Sequence, residues 1–422
     1  MNPDEHAAAA AAAAARDGYG RILAMLASAD GDLAAAEDAL GDALERALRT
    51  WPDRGVPANP AGWLFTVARN RLRDQWKSAE ASRTRPLIAQ TDSAWFIEDI
   101  DPDAIGDRRL ELLLVCAHPV IDPTARAPLM LNTVLGFTAE QIARAFTVPK
   151  ATMATRLVRV KRRIKDIQIP FRIPDRTQLP ARMTAVLEAV YGAYVIEWST
   201  AAQEPRVLPS EGLRLAEVLA ELAPDDAEVR GLAALVLLSA ARAAARTTTD
   251  GRFIPLTEQD PKRWDTALIG RAHEHLRAAH AQRSLGRFQL EAAIQAIHCA
   301  RTEDTPTDWE GLKSLHTALH ALAPSHGSAA ALAAVLAETD GPAAGLRLLD
   351  EVVTAAPRFQ PAWATRAHLL DLLGRRADAI AAYDKAISLT HDPGHRSYLM
   401  SRRSAVAETS NAPANLSTKE KL

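Results

Sequence analysis

Apolar residues recur along this chain every three or four positions, which is the spacing of one face of an α-helix. In residues 150–166, for example, Met153, Leu157, Val160 and Ile164 follow one another at intervals of four, three and four. Alanine is abundant, aromatic residues make up only 5% of the chain, and strand-like runs of Val, Ile, Thr and Tyr are scarce. The sequence therefore predicts an all-α fold.

Pro-rich, Gly-rich and polar stretches divide the 422 residues into helical blocks and connections. The block at residues 201–408 is a series of amphipathic helices. Residues 361–393 within it fit the pattern of one tetratricopeptide repeat, which is a pair of helices. The predicted segments are an alanine-rich lead that is disordered or a frayed helix (1–15), a first helical block (16–85), a linker (86–107), a second block (108–168), a proline-rich joining segment (169–200), the repeat-like block (201–408) and a polar tail (409–422).

Several classes of protein are excluded by what the chain lacks. It has only two cysteines, so a disulfide framework or a cysteine-rich zinc site is not available. His316 and His320 are four residues apart, but the segment lacks the glutamate of a zincin motif. No glycine-rich phosphate loop, nucleophile elbow or paired-carboxylate pattern is present, so we expect no enzyme, metal or cofactor. The acidic start and the lack of a membrane-length apolar run predict a cytoplasmic protein that does not bind membranes.

Residues 138–166 have the signals of two short helices joined by a tight turn. Thr138 can cap the amide of Gln141, and Gln141 can reach back, as in a capping box. The first helix should end near Phe146, and Pro149 suits the start of the second. This arrangement is typical of the helix-turn-helix, in which the second helix enters the major groove of DNA.

Positive charge is concentrated on the second of these two helices. From Thr138 to Asp166 the local balance is about +6, in a chain whose net charge is −2. An ordinary amphipathic pair with a solvated basic face is the alternative, but the capping signals, the turn length and the concentrated charge favour binding to duplex DNA. The candidate DNA-binding residues are Lys150, Thr152, Thr155, Arg156, Arg159, Arg162 and Arg163.

The first block pairs an acidic helix with a basic one. On the acidic helix, one apolar stripe is predicted to face the protein core, and it consists of Leu33, Ala36, Leu40, Ala43, Leu44 and Leu48. Residues 51–63, rich in Pro and Gly, are predicted to form a loop. On the basic helix, Leu64, Val67, Ala68, Leu72 and Trp76 should lie inward, and Arg69, Asn70, Arg71, Arg73 and Lys77 outward. Trp63 can be a core anchor or can stack on an unpaired base, and both interpretations stay open.

Together these stretches resemble a known family. Residues 34–74 resemble region 2, and residues 137–164 resemble region 4, of the extracytoplasmic-function (ECF) sigma factors of bacterial RNA polymerase. The order is that of the family, with a linker between the regions and no region 3. The C-terminal part, including residues 252–269, is similar to the ECF subgroup that has a tetratricopeptide-like extension.

The resemblance implies that the chain directs core polymerase to promoters and opens them, and that its repeat-like domain regulates this activity. The alternative is a helical-repeat scaffold whose N-terminal half binds nucleic acid without initiating transcription. Implied partners are core RNA polymerase, through its β′ clamp and β flap, promoter DNA, and a peptide or protein that binds the repeat-like domain.

The resemblance also implies roles for individual residues. The candidate −35 contacts are those on the second helix of the helix-turn-helix, given above. The implied −10 contacts are Arg54, Asn59, Trp63, Arg69, Asn70 and Arg73, and the implied core-polymerase contacts are Asp38, Asp42 and Glu45. The family pattern is not complete, because Gly41 stands where many members have glutamine.

Overall fold

A computed structural model of the chain describes residues 3–30, 32–81, 109–146, 148–167, 169, 179–201, 211–248, 251–302, 305–390 and 392–411. Over these ranges the chain forms α-helices joined by turns and short 3₁₀ segments, and its β structure is limited to an isolated bridge between Thr247 and Phe253. The predicted all-α fold is confirmed. The helices divide into two units, Met1–Ile196 and Glu197–Leu422.

Eight helices begin in the described part of the first unit. Helices α1 to α3 pack together, α5 to α7 form a second group, and α4 contacts both α1 and α5. The helices are α1 (Pro3–Asp30), α2 (Leu33–Arg54), α3 (Pro60–Ala81), α4 (Arg109–Cys116), α5 (Pro123–Thr133), α6 (Ala139–Ala145), α7 (Lys150–Ile167) and α8 (Leu179–Ala201), the last of which ends beyond the unit.

The alanine-rich lead is helical over residues 3–15, so of its two predicted forms the disordered one is wrong there. These residues form the first turns of α1, and Ala7 and Ala11 are buried. Alanine has the highest intrinsic helix propensity, and Asp4 and Glu5 in the first turn interact favourably with the helix dipole. The alanine-rich lead therefore forms the N-terminal turns of α1.

The connection between α2 and α3 is shorter than the predicted loop at residues 51–63. Helix α2 continues through Pro52 and ends at Gly55, whose φ of 82° is in the region that favours glycine. Pro60 opens α3, so the loop is limited to residues 55–59. The predicted core stripe of α2 is wrong at Leu48, which is 51% exposed, since the buried face passes instead through Ala47 and Trp51.

The predicted helix-turn-helix is confirmed as a pair of helices. Helix α6 has the complete capping box between Thr138 and Gln141, and it ends at Phe146. Helix α7 begins directly after Pro149. The predicted apolar face of α7 is buried. Met153 and Leu157 pack with Leu131 and Ile142 and with Ala193 and Ile196 in the second half of α8. The helices around this core therefore include α8, which was expected to be part of a joining segment.

The second unit is a succession of antiparallel helix pairs in which each helix from α12 onward packs against the next. Residues 361–393 form the predicted helix pair, with Ala367, Ala379 and Tyr383 buried between the two helices and Gly374 at the turn. The helices are α9 (Glu211–Leu222), α10 (Ala227–Ala241), α11 (Thr266–Ala281), α12 (Arg287–Cys299), α13 (Trp309–Leu322), α14 (His326–Thr339), α15 (Pro342–Ala355), α16 (Gln360–Leu372), α17 (Arg376–Leu389) and α18 (Pro393–Asn411).

Residues 251–264, here called the strap, connect distant parts of the second unit. The ring of Phe253 stacks on that of His395 in α18, with their centroids 4.1 Å apart. Arg301, which follows α12, donates hydrogen bonds to the carbonyls of Thr257 and Gln259 and lies over the ring of Trp264. The strap thus contacts α18 as well as the turn after α12.

Two predicted segments fall largely outside the described residues. They are the linker at 86–107 and the tail at 409–422, of which only residues 409–411 belong to α18.

Candidate nucleic-acid interface

A groove of about 850 Å³ runs beside α7. Its wall on α7 includes Thr152, Thr155, Arg156, Arg159 and Arg163, which are five of the seven predicted duplex-binding residues. Four of these five are exposed and Arg156 is half-buried, and Val160 of the buried apolar face also borders the groove. The groove therefore has arginine guanidinium groups and threonine hydroxyls along one side.

The other two predicted residues of α7 are placed differently. The ammonium of Lys150 lies 2.6 Å from a carboxylate oxygen of Glu140 in α6, so it is paired within the motif. Hydrogen bonding to Lys150 holds the pKa of Glu140 below its usual range. Arg162 is exposed but does not line the groove.

The opposite wall of the groove comes from the start of α5, which the sequence reasoning missed. Asp122 caps α5 by accepting from the amide of Thr124, and Arg156 donates to the carbonyl of Thr124 at 3.3 Å. Hydrogen bonding by Thr124 lowers the pKa of the Asp122 carboxyl. The available signal was the Asp122–Pro123 pair, which is a typical N-cap followed by a proline at the first helical position.

A second cleft, of about 650 Å³, lies between α2 and α3. Trp51 and Trp63 meet edge to face in its wall, with their ring centroids 5.4 Å apart. Trp51 is buried and Trp63 is half-buried, so Trp63 both packs on a core residue and reaches the cleft. The indole N–H of Trp51 has no hydrogen-bond partner among the described residues.

The cleft brings together only part of the predicted −10 set. Arg54, Trp63 and Asn70 line it, and Asn70 and Arg54 are exposed. The side chain of Asn59 instead accepts a hydrogen bond from the amide of Gly62 at the start of α3. Arg69 lies over the ring of Phe65 at 6.0 Å, and neither Arg69 nor Arg73 is part of the cleft wall. The side chains of Trp76 and Lys77 lie outside the described residues.

The predicted core-polymerase residues are all exposed on α2. Asp42 accepts from Arg71 of α3 at 2.7 Å, and Asp42 and Glu45 line the same cleft as the tryptophans. The acidic and basic faces that the sequence separates into two helices therefore meet at one cleft. Asp38 lies outside it.

A half-buried ion pair joins α2 to α7. The ammonium of Lys161 lies 2.7 Å from both carboxylate oxygens of Glu37 and also donates to the side-chain carbonyl of Asn132. The two charged side chains are only 17% and 16% exposed. Burial raises the pKa of Glu37, although Lys161 acts in the opposite direction. A second pair, Lys165 with Asp32 at 2.8 Å, lies one turn further along α7.

The histidines do not converge on a metal site within the described ranges, where no group of three potential ligands occurs. His320 contacts the hydroxyl of Ser328, and His275 contacts the guanidinium of Arg230. Among the described helices, none is both long and apolar enough to cross a bilayer.

Comparison with protein families gives two matches. Residues 16–82 match sigma-70 region 2, and residues 182–280 match a family of unknown function, DUF6596. The first match contains the cleft between α2 and α3.

Two relatives cover different shares of the chain. It is 32% identical over 394 residues to an uncharacterized protein, R00370, of Rhizobium meliloti (strain 1021), and the alignment covers 92% of each chain. It is 34% identical over 156 residues to the ECF RNA polymerase sigma factor SigL of Mycobacterium tuberculosis, covering 36% of this chain and 86% of SigL.

Solved structures are more distant. The crystal structure of yeast Tom70 aligns with a TM-score of 0.33 at 10% identity, covering 95% of this chain and 84% of Tom70. The tetratricopeptide domain of P58(IPK) aligns with a TM-score of 0.24 at 12% identity, covering 91% of this chain and 99% of that domain. Such TM-scores do not indicate a common overall fold.

Proposed function

Because the chain belongs to the ECF sigma factors of bacterial RNA polymerase and extends them by a helical-repeat region, we propose that it directs core polymerase to specific promoters and initiates transcription there. The observation that carries the proposal is the groove beside α7, where Arg156, Arg159 and Arg163 stand on the solvent side of a helix-turn-helix. This is the arrangement by which a second helix reads duplex DNA and its arginines meet phosphates.

In this proposal the groove beside α7 binds the −35 element as intact duplex. Thr152 and Thr155, near the start of α7, reach base edges, and the arginines that follow neutralise phosphates. Lys150 is available to DNA once it exchanges Glu140 for a phosphate. Arg162 contributes at the edge of the same surface.

The cleft between α2 and α3 binds the opened −10 strand in this proposal. Extracting a base from the stack costs a few kcal/mol, and stacking on an aromatic ring offsets about 1–3 kcal/mol of it. Trp63 supplies the ring, and Arg54 and Asn70 stand close enough to hold the strand. Asn59, Arg69 and Arg73 support this surface from outside the cleft wall.

Core polymerase binds α2 through Asp38, Asp42 and Glu45 in this proposal, and the β flap receives the helix-turn-helix group. Since Asp42 and Glu45 share the cleft with Trp63, binding of the β′ clamp and binding of the −10 strand are expected to influence each other. Two modest DNA sites on one chain bind far more tightly together than either does alone. The repeat region binds a peptide or protein and regulates initiation.

A run-off transcription assay with core polymerase from the source organism tests the proposal. We expect a stable complex with core and transcripts that start only at cognate promoters. If the purified chain neither binds core nor supports any start site, the proposal fails and a nucleic-acid-binding scaffold that does not initiate transcription replaces it.

A pair of arginine variants tests the groove itself. Arg156→Ala should weaken −35 duplex binding and reduce the slope of log K against log salt by about one, because one phosphate contact is lost. Arg144→Ala is the matched control, since it also removes an arginine from the same motif but from outside the groove. An unchanged slope for Arg156→Ala would remove this arginine from the phosphate-contacting set.

A further inference from the structure

The two groups of helices in the first unit are packed against each other, and this packing is specific. Gly20 of α1 approaches the end of α5 so closely that a Cβ atom at this position would lie 1.7 Å from the carbonyl oxygen of Val134. Glu37 and Lys161 pair across the interface between α2 and α7, and Asn132 of α5 accepts from the same ammonium. The contacts that join the two groups involve α1 and α2 of the first group.

In this packed arrangement, the first unit is too small for both proposed DNA sites to bind their promoter elements at the same time. Promoter positions −10 and −35 are about 25 base pairs apart, which is roughly 85 Å of duplex at 3.4 Å per base pair. A compact unit of 196 residues is only about 40 Å across. The 27 residues between α3 and α4 could span at most about 90 Å when fully extended, so the connection is long enough for the groups to separate.

We propose that Glu37 and Lys161, with Asn132 and the neighbouring Asp32–Lys165 pair, form a latch that keeps α1–α3 and α4–α8 together in the unbound chain and must release before both DNA sites are engaged. The inference rests on the proposed function. The latch is charged but poorly solvated, so loss of one partner leaves the other buried without its counter-ion. Asp32 and Lys165 are more exposed and add less to the contact.

The latch itself is tested without polymerase or DNA. Cysteines replacing Leu48 and Val158, both exposed and on opposite sides of the interface, take spin labels, while Cys116 and Cys299 are buried. Distances between the labels are measured in the full chain along a urea series below the unfolding of either group. Glu37→Gln should raise the ratio of separated to packed molecules on the order of tenfold, and the midpoint of separation should move to lower urea.

Two further variants make this measurement decisive. The charge swap Glu37→Lys with Lys161→Glu should return the midpoint most of the way, because the pair is restored with its signs exchanged. Asp340→Asn breaks an ion pair of similar length with Lys313 in the second unit and should change nothing. A midpoint that does not move in Glu37→Gln overturns the latch, whatever the chain does in transcription.

A reversible lock then separates the latch from the proposed function. In the variant Glu37→Cys with Lys161→Cys, a short bis-methanethiosulfonate reagent joins the two cysteines. Before locking, the variant should initiate transcription. After locking, initiation should fall at least tenfold while −35 duplex binding persists. A thiol reductant should then restore initiation. Full activity in the locked state overturns the latch. Failure of the unlocked variant and of the native chain alike counts against the proposed function instead.

Discussion

Substitution of two glycines provides a direct measure of the packing between α1 and α5. Both Gly20 and Gly41 lie within helices, so both should gain about 0.5–1 kcal/mol of helix propensity when replaced by alanine. Their surroundings differ. A Cβ at Gly41 would meet no atom within 4 Å, whereas a Cβ at Gly20 would lie 1.7 Å from the oxygen of Val134.

The expected effects therefore have opposite signs. Gly41→Ala should raise the free energy of unfolding by about 0.5–1 kcal/mol. In Gly20→Ala the new methyl group is about 1.5–2 Å too close to a backbone oxygen, so α1 and α5 must move apart. Overpacking of this kind costs about 1–3 kcal/mol, which exceeds the gain in propensity. Because the gain in propensity is common to both variants, they should differ by the overpacking cost, about 1–3 kcal/mol.

The difference is measured by urea unfolding of the full chain with hydrogen exchange read peptide by peptide. Peptides from α1, α2 and α5 report the change, and peptides from α14 to α17 in the second unit serve as an internal reference. If Gly20→Ala proves as stabilising as Gly41→Ala, the close approach of α1 to the end of α5 is absent in solution, and the reasoning fails.

Three further effects are expected. Burial, reinforced by neighbouring positive charge, lowers the pKa of His298 to about 4 from 6.5. Between these values the unfolded state binds more protons, so the free energy of unfolding of the second unit should fall by up to about 3 kcal/mol as the pH falls through this range. In urea unfolding measured at several pH values, His298→Gln should flatten that dependence. Thr138→Ala removes the cap of α6 and should lower the free energy of unfolding of the first unit by about 1 kcal/mol. Thr365→Ala serves as the control, because Thr365 lies within a helix and does not cap one. Glu228→Ala leaves the amides of Phe288 and Gln289 without their carboxylate partner and should cost about 1–3 kcal/mol, measured by thermal unfolding, with Glu228→Gln costing less.

Local signals explain why much of the fold could be predicted from the sequence. The capping box at Thr138, the buried face of α7 and the helix pair at 361–393 each depend on residues only a few positions apart. Such signals act through hydrogen bonds and periodicity within one helix or one turn. They are visible in a single sequence for that reason.

The remaining features depend on contacts between distant residues. Leu48 has the spacing of a core residue, but the neighbouring helices cover Ala47 and Trp51 instead. Glu37 and Lys161 are 124 residues apart, and nothing in either local pattern distinguishes them from solvated surface charges. The cleft between α2 and α3 likewise mixes residues that the sequence assigned to different partners. Only packing decides these cases.

The strap changes how the second unit should respond to shortening. In an open array of repeats each unit depends on its immediate neighbours, so trimming one end leaves the other end unaffected. Here Phe253 stacks on His395 and also meets Tyr398 edge to face, so the last helix shields residues that follow α10 in the chain. Deleting α18 should therefore destabilise the beginning of the array as well as its end. The unit should unfold in one cooperative transition rather than progressively from one terminus.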